Sequence, residues 1–409
     1  MNKYTVKDYP PFQFTVFRII FGLYLFIHFI DLISSSPDIW SQQGMMADTS
    51  LNFTHGKFPN ILEAFDTPIQ IQIFISIMAL LALMFGFGIF RIPVAILLWY
   101  GWACLFHRNN LISNPGIPMV GWLLLATALI PSGEPLSLKF NKKNEPWGMP
   151  SILFYGAWIM AGIAYTISGI DKFMAPSWKD GTAIFHLLNN PLARDSFLRQ
   201  WLLDLPMPLI YVQTWGALTL EISFGILCLF KRTRLLAWIS IMAMHIGILA
   251  IVDFADLTIG VMMIHLFTFD PNWFHPKKDK IKKRIVLFDG LCGMCNSSVN
   301  LLMSIDMKSK LLFTPLQGET IKTLPLKMDV IPDSIIYFQD DQYYTKSTAV
   351  IKVLRDMGGI FSFAIVLFIF PKFIRDTVYD LIAKNRYRIY GRKEECRIPT
   401  PEERAKFLD

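Results

Sequence analysis

The sequence predicts a polytopic α-helical membrane domain of about eight spans, followed by a small α/β domain. At 53% hydrophobic, 14% aromatic and only 17% charged, the 409-residue chain is too apolar for an ordinary soluble protein. Apolar runs long enough to cross or nearly cross a bilayer recur as far as Phe269. Beyond the basic stretch HPKKDKIKKR, His275 to Arg284, hydropathy changes to short strand-like and amphipathic helical segments.

The runs lie at Phe12–Ile33, Ile69–Phe90, Ile92–Phe106, Ile117–Ile130, Ile152–Ile170, Pro208–Phe230, Leu235–Val252 and Leu257–Phe269. With eight spans, one side receives Lys3, Lys7, Arg91, Lys139, Lys142, Lys143, Lys231, Arg232, Arg234 and the lysine-rich cluster up to Arg284. The other receives Lys57, Arg108, Lys172, Lys179, Arg194 and Arg199. The excess on the first side places the N-terminus and the C-terminal domain in the cytoplasm. The N-terminal MNKYTVKDYPPFQF shows no small-residue cleavage site, so the first run is expected to stay as a span. The net charge of +7 is spread between apolar runs and a juxtamembrane cluster, which suits anionic lipid headgroups rather than nucleic acid. No nucleic-acid module and no GxxxxGK[ST] phosphate loop is present. The connection from Asp171 to Pro206, with Trp178 and Trp201, is expected to run along the membrane interface.

The domains are thus expected at 1–275 (membrane), 276–284 (basic linker) and 285–409. In the last, RIVLFDG reads as a buried strand and CNSSVNLLMSI as an amphipathic helix. LLFTPL, SIIYF and QYYTK read as strands, the last two forming a hairpin through Gln339-Asp340-Asp341. STAVIKVLRDMG is helical, and so is the segment from Phe361 to Gly391, with a break at Pro371. The stretch Phe361–Phe370 is too short to span and is expected to lie on a membrane surface. That order of elements suggests a thioredoxin-like fold.

Five cysteines occur. Cys104 and Cys228 lie in apolar segments and read as inert core residues. Cys292 and Cys295 form a CxxC pair in FDGLCGMCNSSV. The spacing places Cys292 at or just before a helix start, where partial positive charge stabilises a thiolate, and lets Cys295 reach back to resolve a mixed disulfide. Asp289 can accept or relay a proton, or simply hold the turn. Pro332 precedes a strand where such folds often carry a cis proline, or it is an ordinary turn proline. A zinc site would need two further ligands, yet only Cys396 and no histidine follow His275; no metal is expected. A degenerate structural pair is the remaining alternative.

Ionisable groups inside spans are costly unless paired or facing water. Arg18, His28 and Asp31 fall in the first run, Glu221 in the sixth, His245 in the seventh, Asp253 and Asp256 at its end, and His265 in the last. Arg18 with a carboxylate such as Glu221 would tie helices together. Lys172 ends an apolar helix beside Trp178. It reads as a snorkelling lysine or, if partly desolvated, as a base of lowered pKa.

FDGLCGMCNSSV, DSIIYF, STAVIKVLRDMG and the tail YDLIAKNRYRIYGRKEECRIPTPEERAKFLD together resemble the DCC-type thiol-disulfide oxidoreductase family, over about 125 residues. The resemblance implies disulfide reductase or exchange activity, with Cys292 attacking, Cys295 resolving and Cys396 as a third redox partner or a structural residue. AYTISGIDKFMAPSWKDGTAI is similar to the signature of the HTTM superfamily, the membrane domain shared with vitamin K-dependent γ-carboxylase. FRIIFGLYLFIHFIDL, HRNNLISNPGIPMVGWLLLATALIPSG and LEISFGILCLFKRTRLLAWISIMAMHIGILAIVDF extend that likeness over roughly residues 10 to 275. It implies that Lys172 deprotonates a reduced quinone and that His245 is a recurrent histidine. Where the carboxylase carries Asn-Asn-His, this chain reads Ser113-Asn114-Pro115-Gly116, and the carboxylase's large soluble domain is replaced, so glutamate carboxylation is not expected.

The expected protein is a multi-pass thiol-disulfide oxidoreductase of a bacterial cytoplasmic membrane. Its CxxC pair cycles through a disulfide, meets a thiol or disulfide protein or small molecule, and exchanges electrons with a quinone or hydroquinone. A carboxylase-like modifying enzyme with an accessory thiol domain, and a non-enzymatic membrane assembly protein, are the alternatives.

Overall fold

The computed structural model describes residues 5–6, 9–137, 147–253, 255–273, 284–306, 311–324, 332–339, 342–391, 399 and 403–408. The chain divides into two compact units, the first built chiefly from Phe14–Phe269 and the second chiefly from Asp270–Asp409.

Every apolar run of the first unit becomes a helix, since a helix pairs its backbone polar groups within its own segment. They are α1 (Pro11–Leu32), α2 (Pro68–Phe87), α3 (Arg91–Arg108), α4 (Gly116–Leu129), α5 (Ser151–Met174), α6 (Met207–Leu229), α7 (Lys231–Ile251) and α8 (Ala255–Phe267). Among the described residues, α1, α2, α5, α6 and α7 are long and apolar enough to cross a membrane. α3 is framed by Arg91 and by His107 and Arg108, while α4 and α8 have 14 and 13 residues. Local chemistry sets the ends of α2. Thr67 and Gln70 form a capping box before Pro68, and Gly88 closes the helix at φ 71°, a left-handed conformation that glycine adopts without strain. Large apolar side chains such as Ile73, Ile77, Ile159 and Ile163 point outward, an arrangement compatible with a lipid-facing surface.

Between α5 and α6, the connection predicted to run along the interface folds into short helices at Pro176–Lys179, Ala183–Leu188 and Phe197–Leu203. Leu188 and Leu202 bury against Ile210 of α6 and anchor it. Close helix approaches fall at glycines. A Cβ on Gly162 of α5 would stand 3.2 Å from the Cα of Gly225 on α6.

Arg18 does not pair with Glu221. Its guanidinium, fully buried, meets Glu134 at 3.2 Å and donates to the Leu136 carbonyl at 2.7 Å. Arg91 joins the same carboxylate at 2.8 Å and donates to the carbonyls of Thr127 and Ile130. Arg18 lies in the second turn of α1, beside the segment that follows α4. Glu134 reaches it from there, and Glu221 is taken by Lys172 instead. A buried charge needs a partner within reach, and position along the helix decides which one it gets.

The second unit comprises β1 (Arg284–Phe288), α9 (Gly293–Ile305), β2 (Leu311–Pro315), β3 (Ile336–Gln339), β4 (Gln342–Thr345), α10 (Lys346–Met357) and α11 (Lys372–Tyr390). The sheet order is β2-β1-β3-β4, with β1 and β2 parallel and the other neighbouring pairs antiparallel. Alternation along the strands splits the core. Val286, Phe288, Phe313 and Tyr337 face Val299, Ala349 and Val353 on one side; Ile285, Leu287, Ile336 and Phe338 pack with Ile321 on the other. The Tyr337 hydroxyl, carried into this core, donates to Asp356 at 2.8 Å. The apolar stretch before Pro371 forms a 3₁₀ helix, Gly359–Ile369, with Phe363, Ile365, Val366, Leu367 and Ile369 exposed. Of the basic linker only Arg284 is described, as the first residue of β1; Asp340 and Asp341 of the hairpin turn and Cys396 lie outside the described residues.

Candidate functional site

The CxxC pair stands where β1 hands over to α9. Cys292 is the N-cap of α9, and its Sγ accepts the Cys295 N–H at 3.3 Å. A sulfur in that position faces the unsatisfied amides and partial positive charge of a helix start, which favours the thiolate. Asn296 braces the turn by donating to the carbonyls of Gly290 (2.7 Å) and Cys292 (2.9 Å), and the Gly290 N–H donates to Gln317 at 3.0 Å. Both cysteines are free thiols. Cys292 is fully buried, and Cys295 is half-buried. Burial, then a hydrogen bond to Cys292 and its negative charge, push the Cys295 thiol up to about 12. Cys295 therefore keeps its proton well above neutral pH.

Asp289 ties the turn to the end of α11. One oxygen accepts from the Leu291 N–H (3.0 Å) and Gln317 (2.9 Å); the other accepts from Arg386 (3.2 Å) and the Tyr387 hydroxyl. Burial alone would raise this carboxyl. The hydrogen bonds from Tyr387, Gln317 and Leu291, with the Arg386 charge, outweigh it and hold the group below the usual carboxylate range. Asp289 is thus an ionised brace at neutral pH, with the Leu291 contact holding the turn. Arg386, itself buried, also meets Asp333 at 2.5 Å. Burial opposes its charge, yet the bonds to Tyr387 and Asp333 raise its pKa overall. Pro332 immediately precedes Asp333, and its carbonyl accepts the Ser334 N–H at 2.8 Å. No cis peptide occurs among the described residues; Ile331, on the other side of the Pro332 bond, lies outside them.

In the first unit, Lys172 meets both carboxylate oxygens of Glu221, and Ser168 lies 3.2 Å from the Lys172 Nζ and 3.2 Å from Glu221. The ammonium also stands 5.4 Å from the centre of the Trp178 ring. The Lys172 side chain is 32% exposed and that of Glu221 6%, so the pair sits at the edge of the helix packing. His245 is buried and hydrogen-bonds the Tyr165 hydroxyl at 2.6 Å; His265, from α8, meets the same hydroxyl at 2.7 Å.

Thiols held at a helix start beside a buried ionic brace define a site for thiol-disulfide chemistry. Residues 286–392 match the family model described as DCC1-like thiol-disulfide oxidoreductase. The chain is 42% identical over 134 residues to the uncharacterized protein YuxK of Bacillus subtilis (strain 168), covering 32% of this chain and 97% of that protein. It is 36% identical over 121 residues to a chloroplastic DCC family protein of Arabidopsis thaliana, covering 29% of this chain and 70% of that protein. The chain belongs, through its C-terminal unit, to the DCC family. No solved structure matches.

Sequence reasoning missed Arg386, Tyr387, Gln317 and Asn296 around the thiols, and Tyr165 between the histidines. Arg386 and Tyr387 lie in the tail YDLIAKNRYRIYG, already tied to the CxxC segment by family resemblance, but nothing in the sequence singles out Arg386 from the tail's other charges as the partner of Asp289. Tyr165 gave none, being one aromatic residue in an apolar run.

Proposed function

We propose that the protein is a membrane-bound thiol-disulfide oxidoreductase. Its C-terminal unit, read as thioredoxin-like from its sheet order, exchanges electrons with a quinone-like molecule held by an HTTM-like helical unit. The observation that carries the thiol part is the hydrogen-bonded sulfur pair at the start of α9, with the proton retained by Cys295. The Cys292 thiolate attacks one sulfur of a substrate disulfide, forming a mixed disulfide and expelling the other sulfur as a thiolate. Cys295 then gives up its proton and attacks the Cys292 sulfur, which closes the Cys292–Cys295 disulfide and releases the second substrate thiol. Two electrons and two protons from a hydroquinone restore the dithiol and leave a quinone. Lys172, held by Glu221 at the edge of the helices, exchanges protons in that step. The location is a bacterial cytoplasmic membrane, in keeping with five helices long enough to span; the thiol unit is placed on the cytoplasmic side by the reading of eight apolar runs as spans and the bias of basic residues between them.

The test uses the full chain in liposomes, a disulfide-bonded peptide and a short-chain hydroquinone. Cys295→Ser is expected to trap a mixed disulfide through Cys292, and Cys292→Ser to trap none. Lys172→Met is expected to lose the hydroquinone-driven cycle while retaining exchange with small thiols. Trapping through Cys295 would overturn the assignment of the sulfurs; a cycle indifferent to hydroquinone would overturn the coupling. Labelling of intact cells with a membrane-impermeant thiol reagent tests the side: protection until lysis is expected.

A further inference from the structure

The Tyr165 hydroxyl lies between two imidazoles, 2.6 Å from Nε2 of His245 and 2.7 Å from Nε2 of His265. A hydroxyl has one proton to give, so it donates to one of these nitrogens and accepts an N–H from the other. With both rings neutral, the two histidines must therefore hold opposite tautomers: one carries its proton on Nε2, the other on Nδ1. Both Nδ1 atoms are buried and lack a hydrogen-bond partner among the described residues. One end of the array is then a bare nitrogen ready to take a proton, and the other an N–H ready to lose one. Four different helices supply the surroundings. Tyr165 is from α5, His245 from α7 and His265 from α8, with Phe224 of α6 packed on the tyrosine ring at 4.8 Å.

We propose that His245, Tyr165 and His265 form a buried proton relay in the helical unit. A proton bound at the bare Nδ1 releases that ring's Nε2 proton to the Tyr165 oxygen. The hydroxyl proton passes to the Nε2 of the second ring, which discharges its own Nδ1 proton. One proton enters, one leaves, each group ends neutral, and both tautomers have exchanged; the hydroxyl now donates to the first ring, so the array is set for passage in the reverse direction. A static tie between three helices would need only one fixed pair of tautomers.

The centre of the relay shares a helix face with the ion pair. Tyr165, Ser168 and Lys172 recur at i, i+3 and i+7 on α5 and so share one face. There Ser168 bridges to Lys172 and Glu221. On that shared face the relay is placed to exchange protons with a ligand at the Lys172–Glu221 pair. That connection rests on the proton-transfer role proposed above for Lys172, whereas the relay itself rests on its own geometry.

The experiment is nitrogen NMR of the ¹⁵N-histidine-labelled full chain in lipid nanodiscs, with no thiol or quinone present, so its failure is separable from failure of the redox reading. Two buried neutral histidines of opposite tautomer, interchanging their states, are expected in the unaltered protein. Loss of that exchange is expected in Tyr165→Phe, and slowing of it in Glu221→Gln. Identical tautomers, a permanently charged ring, or exchange undiminished in Tyr165→Phe would overturn the relay. Exchange unchanged in Glu221→Gln would overturn its link to the ion pair. Whether the two tautomers interchange in the unaltered protein decides the matter even if Tyr165→Phe does not fold.

Discussion

Asp289 shows how much one carboxylate can organise. It accepts four hydrogen bonds, from two turns and the end of α11, and these keep it ionised despite burial. Because its folded pKa lies below the unfolded one, its stabilising contribution is complete above the unfolded value and disappears as pH falls through the folded one. Asp289→Asn should therefore flatten the acid limb of a pH series of chemical melts. Asp289→Ala, which strands Arg386 with only the exposed Asp333, should cost about 3 kcal/mol at neutral pH. Cys295 behaves oppositely. Its thiol, raised to about 12, holds its proton to higher pH in the folded chain than in the unfolded one, so stability falls as pH climbs towards that value. Removing the Cys292 sulfur takes away the hydrogen bond and negative charge that contribute to the shift and leaves burial. In Cys292→Ser the pH midpoint for alkylation of Cys295 should drop below about 12. At this scale the sequence was partly legible. Cys292, Cys295 and Asp289 declare themselves by spacing, whereas Arg386 is a single charge 97 residues from Asp289 and is recognised only when the chain brings them together.

The helices of the first unit could be read in order because long apolar runs have few alternatives. What could not be read was which helix touches which. Arg18 and Glu221 looked like partners because each is a lone charge in an apolar run. The fold instead gives Arg18 and Arg91 to Glu134, and Glu221 to Lys172. Glycines reveal the α5–α6 contact only after the fact. Gly162 meets Gly225 at backbone distance, and a Cβ on Gly169 would lie 2.8 Å from the Ile222 nitrogen. This close seam holds Lys172 against Glu221 one helix face further along. Gly162→Leu should force the helices apart, cost roughly 1–3 kcal/mol and lower the Tm of the detergent-solubilised chain. In the second unit, alternation identified the strands, yet it could not announce that the apolar stretch Gly359–Ile369 winds as a 3₁₀ helix with its large side chains outward.

At the scale of the whole molecule, two units of different solvent preference share one chain. The match to YuxK accounts for 97% of that protein with 134 residues of this one, so the C-terminal unit corresponds to a chain that occurs by itself. A fragment of residues 276–409 is accordingly expected to fold in water and to exchange thiols with small disulfides. It should show no dependence on hydroquinone, which gel-filtration of the fragment and a thiol-release assay would check. The proposed coupling would then belong to the helical unit, where the Lys172–Glu221 pair lies. An ammonium and a carboxylate facing each other cancel, so their surroundings have zero net charge whichever of the two holds the proton beforehand. An incoming anion gains nothing from Lys172 without first stripping it from Glu221, and an incoming cation meets the mirror-image cost. On the function proposed above, the pair would act as a filter on charge, admitting molecules that arrive neutral and ionise, if at all, only after they have docked.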